Sequence, residues 1–180
     1  MERAQVEQTV LEMVQNARSA SRTIASMSTN QKNRILCDIG EALLKRQSFI
    51  LAENSKDMEA GRKKGLSAAM LDRLQITEKG MSDMVQGLRE VAALEDPVGE
   101  ISEMRRRPSG ITVGRMRVPL GVILMIYESR PNVTIDSAAL CLKAGNAVIL
   151  RGGSEALHSN VALARVLQEV LMKHSITPTV

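Results

Sequence analysis

The chain has 180 residues, 44% of them hydrophobic and 24% charged, with a formal net charge of +4. That composition excludes a disordered or collagen-like chain and suits one soluble domain, or one domain and part of another. So mild a positive charge serves an anionic small molecule as readily as a nucleic acid, and 2 cysteines build no disulfide framework, which points to a reducing, cytoplasmic setting.

The amino terminus, "MERAQVEQTVLEMVQNAR", is charged and periodic rather than continuously apolar, so it reads as neither a signal peptide nor a membrane span. Val6, Val10, Met13, Ala17 and Ile24 fall on one face of a first helix. Ile35, Ile39 and Leu43 form a second stripe, with Ser28 and Thr29 as capping candidates before it. A third helix over about 47–63 stops at Gly65, after two lysines whose charge suits a helix carboxyl end. Ser67 opens a short helix through Leu74, and Thr77 opens another with Met81, Met84, Val85, Leu88, Val91 and Ala92 at helical spacing. "EDPVGE" breaks that pattern. With one Phe, one Tyr and no Trp, the core must be built from aliphatic residues and the 11 methionines.

The second half changes character. "ISEMRRRPSGITVGRMRV" predicts two short strands around a turn at Pro108-Ser109-Gly110. "GVILMIY" (121–127) is a continuous apolar run, expected of a strand covered on both faces. Residues 133–144 fit a helix closed by Gly145, and "AVIL" (147–150) is a second apolar strand. From Ser154 a long helix is predicted with Leu157, Val161, Ala164, Leu167 and Leu171 inward. Strand, helix, strand, helix is a βαβ unit with its next helix, and two strands alone leave a parallel sheet incomplete.

Ligands of open α/β sheets bind beyond the carboxyl ends of the strands. Here those ends run into "YESRPN" (127–132) and "RGGSE" (151–155). In the second, Gly152 and Gly153 allow close backbone approach, Ser154 is placed to cap the next helix, Arg151 suits phosphate, and Glu155 can accept from ribose hydroxyls. Read from spacing alone, the same residues also suit a Gly-Gly turn, a helix cap and a surface arginine. In the first, Pro131 holds Arg130 extended, and Asn132 is either a helix cap or an amide donor to an oxyanion. Glu128 and Arg130 can also pair with each other. There is no G-x-G-x-x-G and no Walker loop, and no metal-ligand spacing occurs.

The block "VPLGVILMIYESRPNVTIDSAALCLKAGNAVILRGGSEALHSN", with "GLSAAMLDRL" and "DPVGE" upstream, resembles the gamma-glutamyl phosphate reductase family of the aldehyde dehydrogenase superfamily, from about residue 5 onward. The resemblance implies an α/β, aldehyde dehydrogenase-like fold: N-terminal helices, a β-hairpin, then the start of a parallel Rossmann-like cofactor sheet. It implies three segments: a helical part of the cofactor domain (1–100), a hairpin of an oligomerisation element (101–118), and the first βαβα of an NADPH-binding domain (119–180). In that family a cysteine thiolate attacks the acyl phosphate of L-glutamyl 5-phosphate, phosphate leaves, and NADPH reduces the thioester to glutamate semialdehyde, a step of proline biosynthesis. By similarity Asn132 is the oxyanion donor. Ser129, Arg130 and Pro131 line the cofactor cleft, and Arg151, Gly152, Gly153, Ser154 and Glu155 cradle the NADPH ribose and its 2′-phosphate.

The chain is shorter than the family, and the family's nucleophilic cysteine lies beyond residue 180, so the expectation is an N-terminal fragment, inactive alone. Neither Cys37 nor Cys141 has an electropositive partner in the pattern, and His158 and His174 sit on the last helix as structural or solvated residues. The resemblance also implies a homo-oligomer for the full-length form. A rival reading is a non-catalytic oligomerisation or cofactor-binding module built on the hairpin, whose free edge invites association. Nucleic-acid binding through Arg105, Arg106, Arg107, Arg115 and Arg117 is disfavoured by the near absence of aromatic platforms, and no membrane partner is expected.

Overall fold

The computed structural model describes residues 3–176. The first two residues of the predicted 1–100 segment and the last four of the 119–180 segment lie outside the described residues. Five helices come first: α1 (Arg3–Ala25), α2 (Thr29–Lys45), α3 (Gln47–Lys63), α4 (Ala68–Leu74) and α5 (Glu78–Ala93). A hairpin of β1 (Ile101–Arg106) and β2 (Thr112–Met116) follows, then β3 (Val122–Ile126), α6 (Asn132–Lys143), β4 (Ala147–Arg151), a 3-10 turn (Ser154–Ala156) and α7 (Leu157–Lys173).

Local chemistry sets most of these boundaries. Ser28 forms a full capping box with Gln31, and Ser67 and Thr77 each accept from the backbone three residues on. Thr29 is the first residue of α2 rather than its cap. Gly65 and Gly145 end α3 and α6 with positive φ (74° and 75°), and the residue after each donates back into the helix: Leu66 to Gly61, Asn146 to Cys141.

The main core joins α2, α5, α6 and α7, with Ile35, Leu36, Leu43, Met81, Leu88, Ile135 and Leu163 among its buried residues. A satellite core of Met58, Leu74 and Ala156, flanked by Leu66 and Leu71, holds α4 against α3 and the 3-10 turn. β3 and β4 pair in parallel, Val122 opposite Ala147 through Ile126 opposite Arg151, and Tyr127 N–H extends the ladder to the Arg151 carbonyl. β1 and β2 pair antiparallel, with the register slipping between Ser102 and Arg105.

Three burial expectations fail. Val6, Val10 and Met13 are exposed, because the first half of α1 has no element opposite it among the described residues; Ala17, Ala20, Ser21 and Ile24 are its buried positions. β3 is not covered on both faces: Leu124 and Ile126 are 60% and 65% exposed. On α7, Leu167 and Leu171 are buried as predicted, but Leu157 and Val161 face solvent and Ala164 is half-buried, while Ala162, Leu163, Val166 and Val170, which the predicted stripe left out, are buried. In a helix this apolar, two neighbouring stripes satisfy the same period, and packing against α2 and α3 selects between them.

Candidate active site at the carboxyl ends of the parallel strands

The two loops predicted to matter lie side by side. Ser129, beyond β3, donates to Glu155 Oε2, beyond β4, at 2.9 Å. A side chain on Gly153 would run into Ser129 Oγ at 2.7 Å and Glu155 Oε2 at 2.9 Å. One on Gly152 would collide with the Asn160 amide and come within 3.1 Å of the Tyr127 ring. Both glycines therefore make room for the protein's own side chains.

A polar chain runs beneath them. Thr134 Oγ1 donates to Asn160 Oδ1 at 3.1 Å, so the Tyr127 hydroxyl, 2.7 Å from Thr134 Oγ1, is the donor to it. Burial pushes the Tyr127 phenol up from its ordinary value, so it stays protonated as that donor. Glu155 is held below the usual carboxylate range by its own backbone N–H and by Ser129, which keeps it ionised as an acceptor.

The helix that follows departs from expectation. Ser154 does not cap α7; it begins the 3-10 turn, and no side chain of the turn caps either element. The cap comes from α3. Asp57, buried, accepts from His158 N–H (3.1 Å), Ser159 N–H (2.7 Å) and Ser159 Oγ (2.6 Å). That carboxylate already occupies the electropositive end of α7, so a bound phosphate must rely on side-chain cations instead. Asn132 is not a cap either: Pro131 holds that position, and Asn132, one residue in, donates its Nδ2 to Asp136 Oδ2 at 3.1 Å. Burial raises the Asp136 carboxyl above its ordinary value despite that bond.

Two clefts open here. The larger, about 680 Å³, has Ser129, Arg130, Arg151, Gly153, Ser154 and Glu155 on its walls, with Leu66, Met70 and Ile126 as apolar surface. The smaller, about 340 Å³, contains Pro131 and Asn132. Gly152 lines neither and lies under the loop. Arg73, from the carboxyl end of α4, lines both. Sequence reasoning missed Arg73 as a site residue, because a single cation on a seven-residue helix carries no local signal; its segment was read as a short helix and as part of the family-like stretch "GLSAAMLDRL", with no role for the arginine.

Among the described residues no ion pair or side-chain hydrogen bond engages Arg73, Arg130 or Arg151. Arg130 meets Glu128 only through the backbone, N–H to carbonyl at 2.8 Å. Three guanidiniums without ion-pair partners thus share one cleft of ligand size with the carboxylates of Glu128 and Glu155, a lining that can meet both an anionic group and hydroxyls of a ligand. By contrast, Arg115 and Arg117 of the hairpin pair with Glu103 and Glu100.

The cysteines do not join the site. Cys141 is buried on α6, its thiol pushed up by that burial, and Cys37 is exposed on α2. Among the described residues no group of three metal-ligating side chains converges, and no helix is long and apolar enough to cross a membrane.

A model of the aldehyde dehydrogenase family matches residues 2–177. The gamma-glutamyl phosphate reductase of Colwellia psychrerythraea is 57% identical over 164 residues, covering 91% of this chain and 39% of that protein. The crystal structure of gamma-glutamyl phosphate reductase from Thermotoga maritima superposes with a TM-score of 0.90 at 38% identity, covering 94% of this chain and 41% of that one. That of the Saccharomyces cerevisiae enzyme does so with a TM-score of 0.87 at 33% identity, covering 94% and 43%. The chain thus spans about two fifths of the length of these relatives.

Proposed function

We infer the role of this chain from a plain premise: it belongs to the aldehyde dehydrogenase family. That membership, with reductases among its relatives, implies a nicotinamide cofactor. We propose that the chain supplies part of the NADPH cleft and the oxyanion donor of an enzyme that reduces L-glutamyl 5-phosphate to L-glutamate 5-semialdehyde with release of phosphate. The observation that carries this reading is the set of unpaired arginines on the larger cleft, beyond the carboxyl ends of β3 and β4.

NADPH, when bound, supplies a hydride. The protein's part is to hold it and to stabilise charge. Arg151 suits the 2′-phosphate, a dianion that a guanidinium can meet with two parallel hydrogen bonds. Glu155, ionised and tied to Ser129, keeps its other oxygen for a ribose hydroxyl. Asn132 has two Nδ2 hydrogens: Asp136 takes one, which fixes the amide plane, and the other is left for an oxyanion.

Titration of the purified chain with NADPH, followed by cofactor fluorescence, tests the reading. Saturable binding is expected, weaker for NADH, and weaker by roughly tenfold for NADPH in Arg151→Ala, the loss of one charge-assisted contact. Absence of binding by a chain that melts cooperatively, or equal affinity for both cofactors, would overturn it.

A second reading, a module for self-association, has one observation in its favour. The hairpin leaves Ile101, Met104, Ile111, Met116 and Val118 exposed together. We propose residues 101–118 as an oligomerisation element and the full-length protein as a homo-oligomer. Light scattering after size exclusion should then show dimers or larger species that Met104→Glu with Met116→Glu dissociates. A monomer at all concentrations removes this reading and leaves the cofactor cleft untouched.

A further inference from the structure

Ser129 lines the larger cleft, yet its hydroxyl is taken up by the protein itself. It donates to Glu155 Oε2 at 2.9 Å, linking the two strand-end loops through residues 26 positions apart, and both side chains are half-buried. A hydroxyl that meets a carboxylate makes a charge-assisted bond, stronger than one between neutral partners.

The backbone is held at both ends of that bond. Arg130 N–H reaches back over Ser129 to the Glu128 carbonyl at 2.8 Å, and Val133 and Thr134 N–H close the next turn onto the Arg130 and Pro131 carbonyls at 3.0 Å each. After Glu155, Ala156 is fully buried in the satellite core, and its N–H donates to the Gly153 carbonyl at 3.2 Å. Gly153 completes the arrangement. A Cβ there would stand 2.7 Å from Ser129 Oγ, 2.9 Å from Glu155 Oε2 and 3.3 Å from Ser129 N. Its φ of −64° is open to any residue, so the room that the Ser129–Glu155 link takes, and not the backbone conformation, calls for glycine.

We propose that Ser129 is a positioning residue of the cofactor site, which acts on the bound nucleotide through Glu155, by fixing that carboxylate as the acceptor for a ribose hydroxyl, and not by touching the cofactor itself. This rests on the reading of the larger cleft as a dinucleotide site. The link also has a consequence in acid. Glu155 is held below the usual carboxylate range first by its own backbone N–H and then by Ser129, with Ser154 and Lys64 adding to them against burial. Lys64 comes from the end of α3, and the other charged groups on the walls are Arg73, Glu128, Arg130 and Arg151. Removing the Ser129 hydroxyl removes one cause of the depression. Glu155 then takes up its proton, and loses its strength as an acceptor, at a higher pH than in the wild type.

The test joins a carbon NMR titration of the Glu155 carboxyl with the affinity for NADP⁺, which carries the same ribose and 2′-phosphate and survives acid, read from the Gly153 amide signal. In Ser129→Ala the Glu155 midpoint should move up, NADP⁺ affinity should fall roughly tenfold at neutral pH, and the further loss in acid should begin at a higher pH. Ser129→Thr, which keeps the hydroxyl, should restore all three. Gly153→Ala should push the link apart and reproduce the effects of Ser129→Ala, and the two changes together should do little more than either alone, since both break one bond. Equal NADP⁺ affinity in Ser129→Ala, or a loss that is the same at every pH with the Glu155 midpoint unmoved, overturns the proposal and leaves the cofactor cleft standing. A midpoint that moves in a chain that binds no NADP⁺ removes the cofactor reading instead, and the role given to Ser129 with it.

Discussion

Replacing Asp57 with alanine lowers the unfolding free energy by about 3–5 kcal/mol, read from the urea midpoint at unchanged slope. The carboxylate accepts two backbone N–H groups at the start of α7 and the Ser159 hydroxyl, at 2.6–3.1 Å. Ser159 is fully buried, so water cannot replace the lost acceptor there. A buried donor left without a partner costs about 1–3 kcal/mol, and the variant leaves more than one. The negative charge at the amino end of α7 goes too, worth about another 0.3–1 kcal/mol. Asp57→Asn keeps one acceptor oxygen but turns an NH2 towards a donor, so about 1–2 kcal/mol is expected. Against a domain stability of about 5–15 kcal/mol, the alanine variant loses a large share. Because "RGGSE" leads directly into this helix end, the NADPH binding proposed above should weaken with it. A loss below about 1 kcal/mol would show that the helix end finds other partners.

Asp57 also marks the limit of what a sequence makes legible. Caps that sit within three residues of their target were readable: Ser28, Ser67 and Thr77 all act as expected. The same local logic offered Ser154 as a cap and Asn132 as one of two readings, and neither caps: α7 takes its cap from a residue about a hundred positions upstream, and on α6 Pro131 holds the cap position. Periodicity fails for a related reason. It reports that a helix has an apolar face, and the partner surface decides which face is used. The first half of α1 and the outer residues of β3 have no partner among the described residues, so Val6, Val10, Leu124 and Ile126 stay exposed.

The site was legible in outline. The βαβ reading put "YESRPN" and "RGGSE" at neighbouring strand ends, and the Ser129–Glu155 hydrogen bond joins them there. The reason for the glycines was not legible. From the sequence they invite a ligand; in the fold Asn160, Tyr127, Ser129 and Glu155 fill the space above them. Nor could periodicity show Arg73, Asp83 and Asp136 around one cleft, since they come from three helices joined only by packing.

A second large effect is expected at Asp96, in the "EDPVGE" loop that the sequence shows only as a break. Lys32 on α2 is 1% exposed, and its ammonium group meets both Asp96 oxygens, at 2.8 and 2.6 Å, and the Lys143 carbonyl at 3.2 Å. Asp96→Ala leaves that ammonium buried without a counter-charge, a loss of about 3–5 kcal/mol. Lys32→Met should cost less, about 0–2 kcal/mol, because an apolar chain of similar length suits the site and Asp96 keeps Thr29 and Val98 N–H as donors. The double variant should therefore be more stable than Asp96→Ala alone, an order that a simple count of lost contacts reverses. The pH dependence follows from the same geometry. Burial by itself pushes the Asp96 carboxyl up, but Lys32, Val98 N–H and Thr29 outweigh it and hold it below its ordinary value. A depressed folded value means that the unfolded chain binds the proton more readily, so this stabilisation is complete above the ordinary carboxylate range and drains away as pH falls through the folded value. Wild-type stability should thus decline with acid in that window, while Asp96→Ala, already without the carboxylate, shows a flatter profile. Parallel profiles for the two would mean that Lys32 finds its compensation elsewhere.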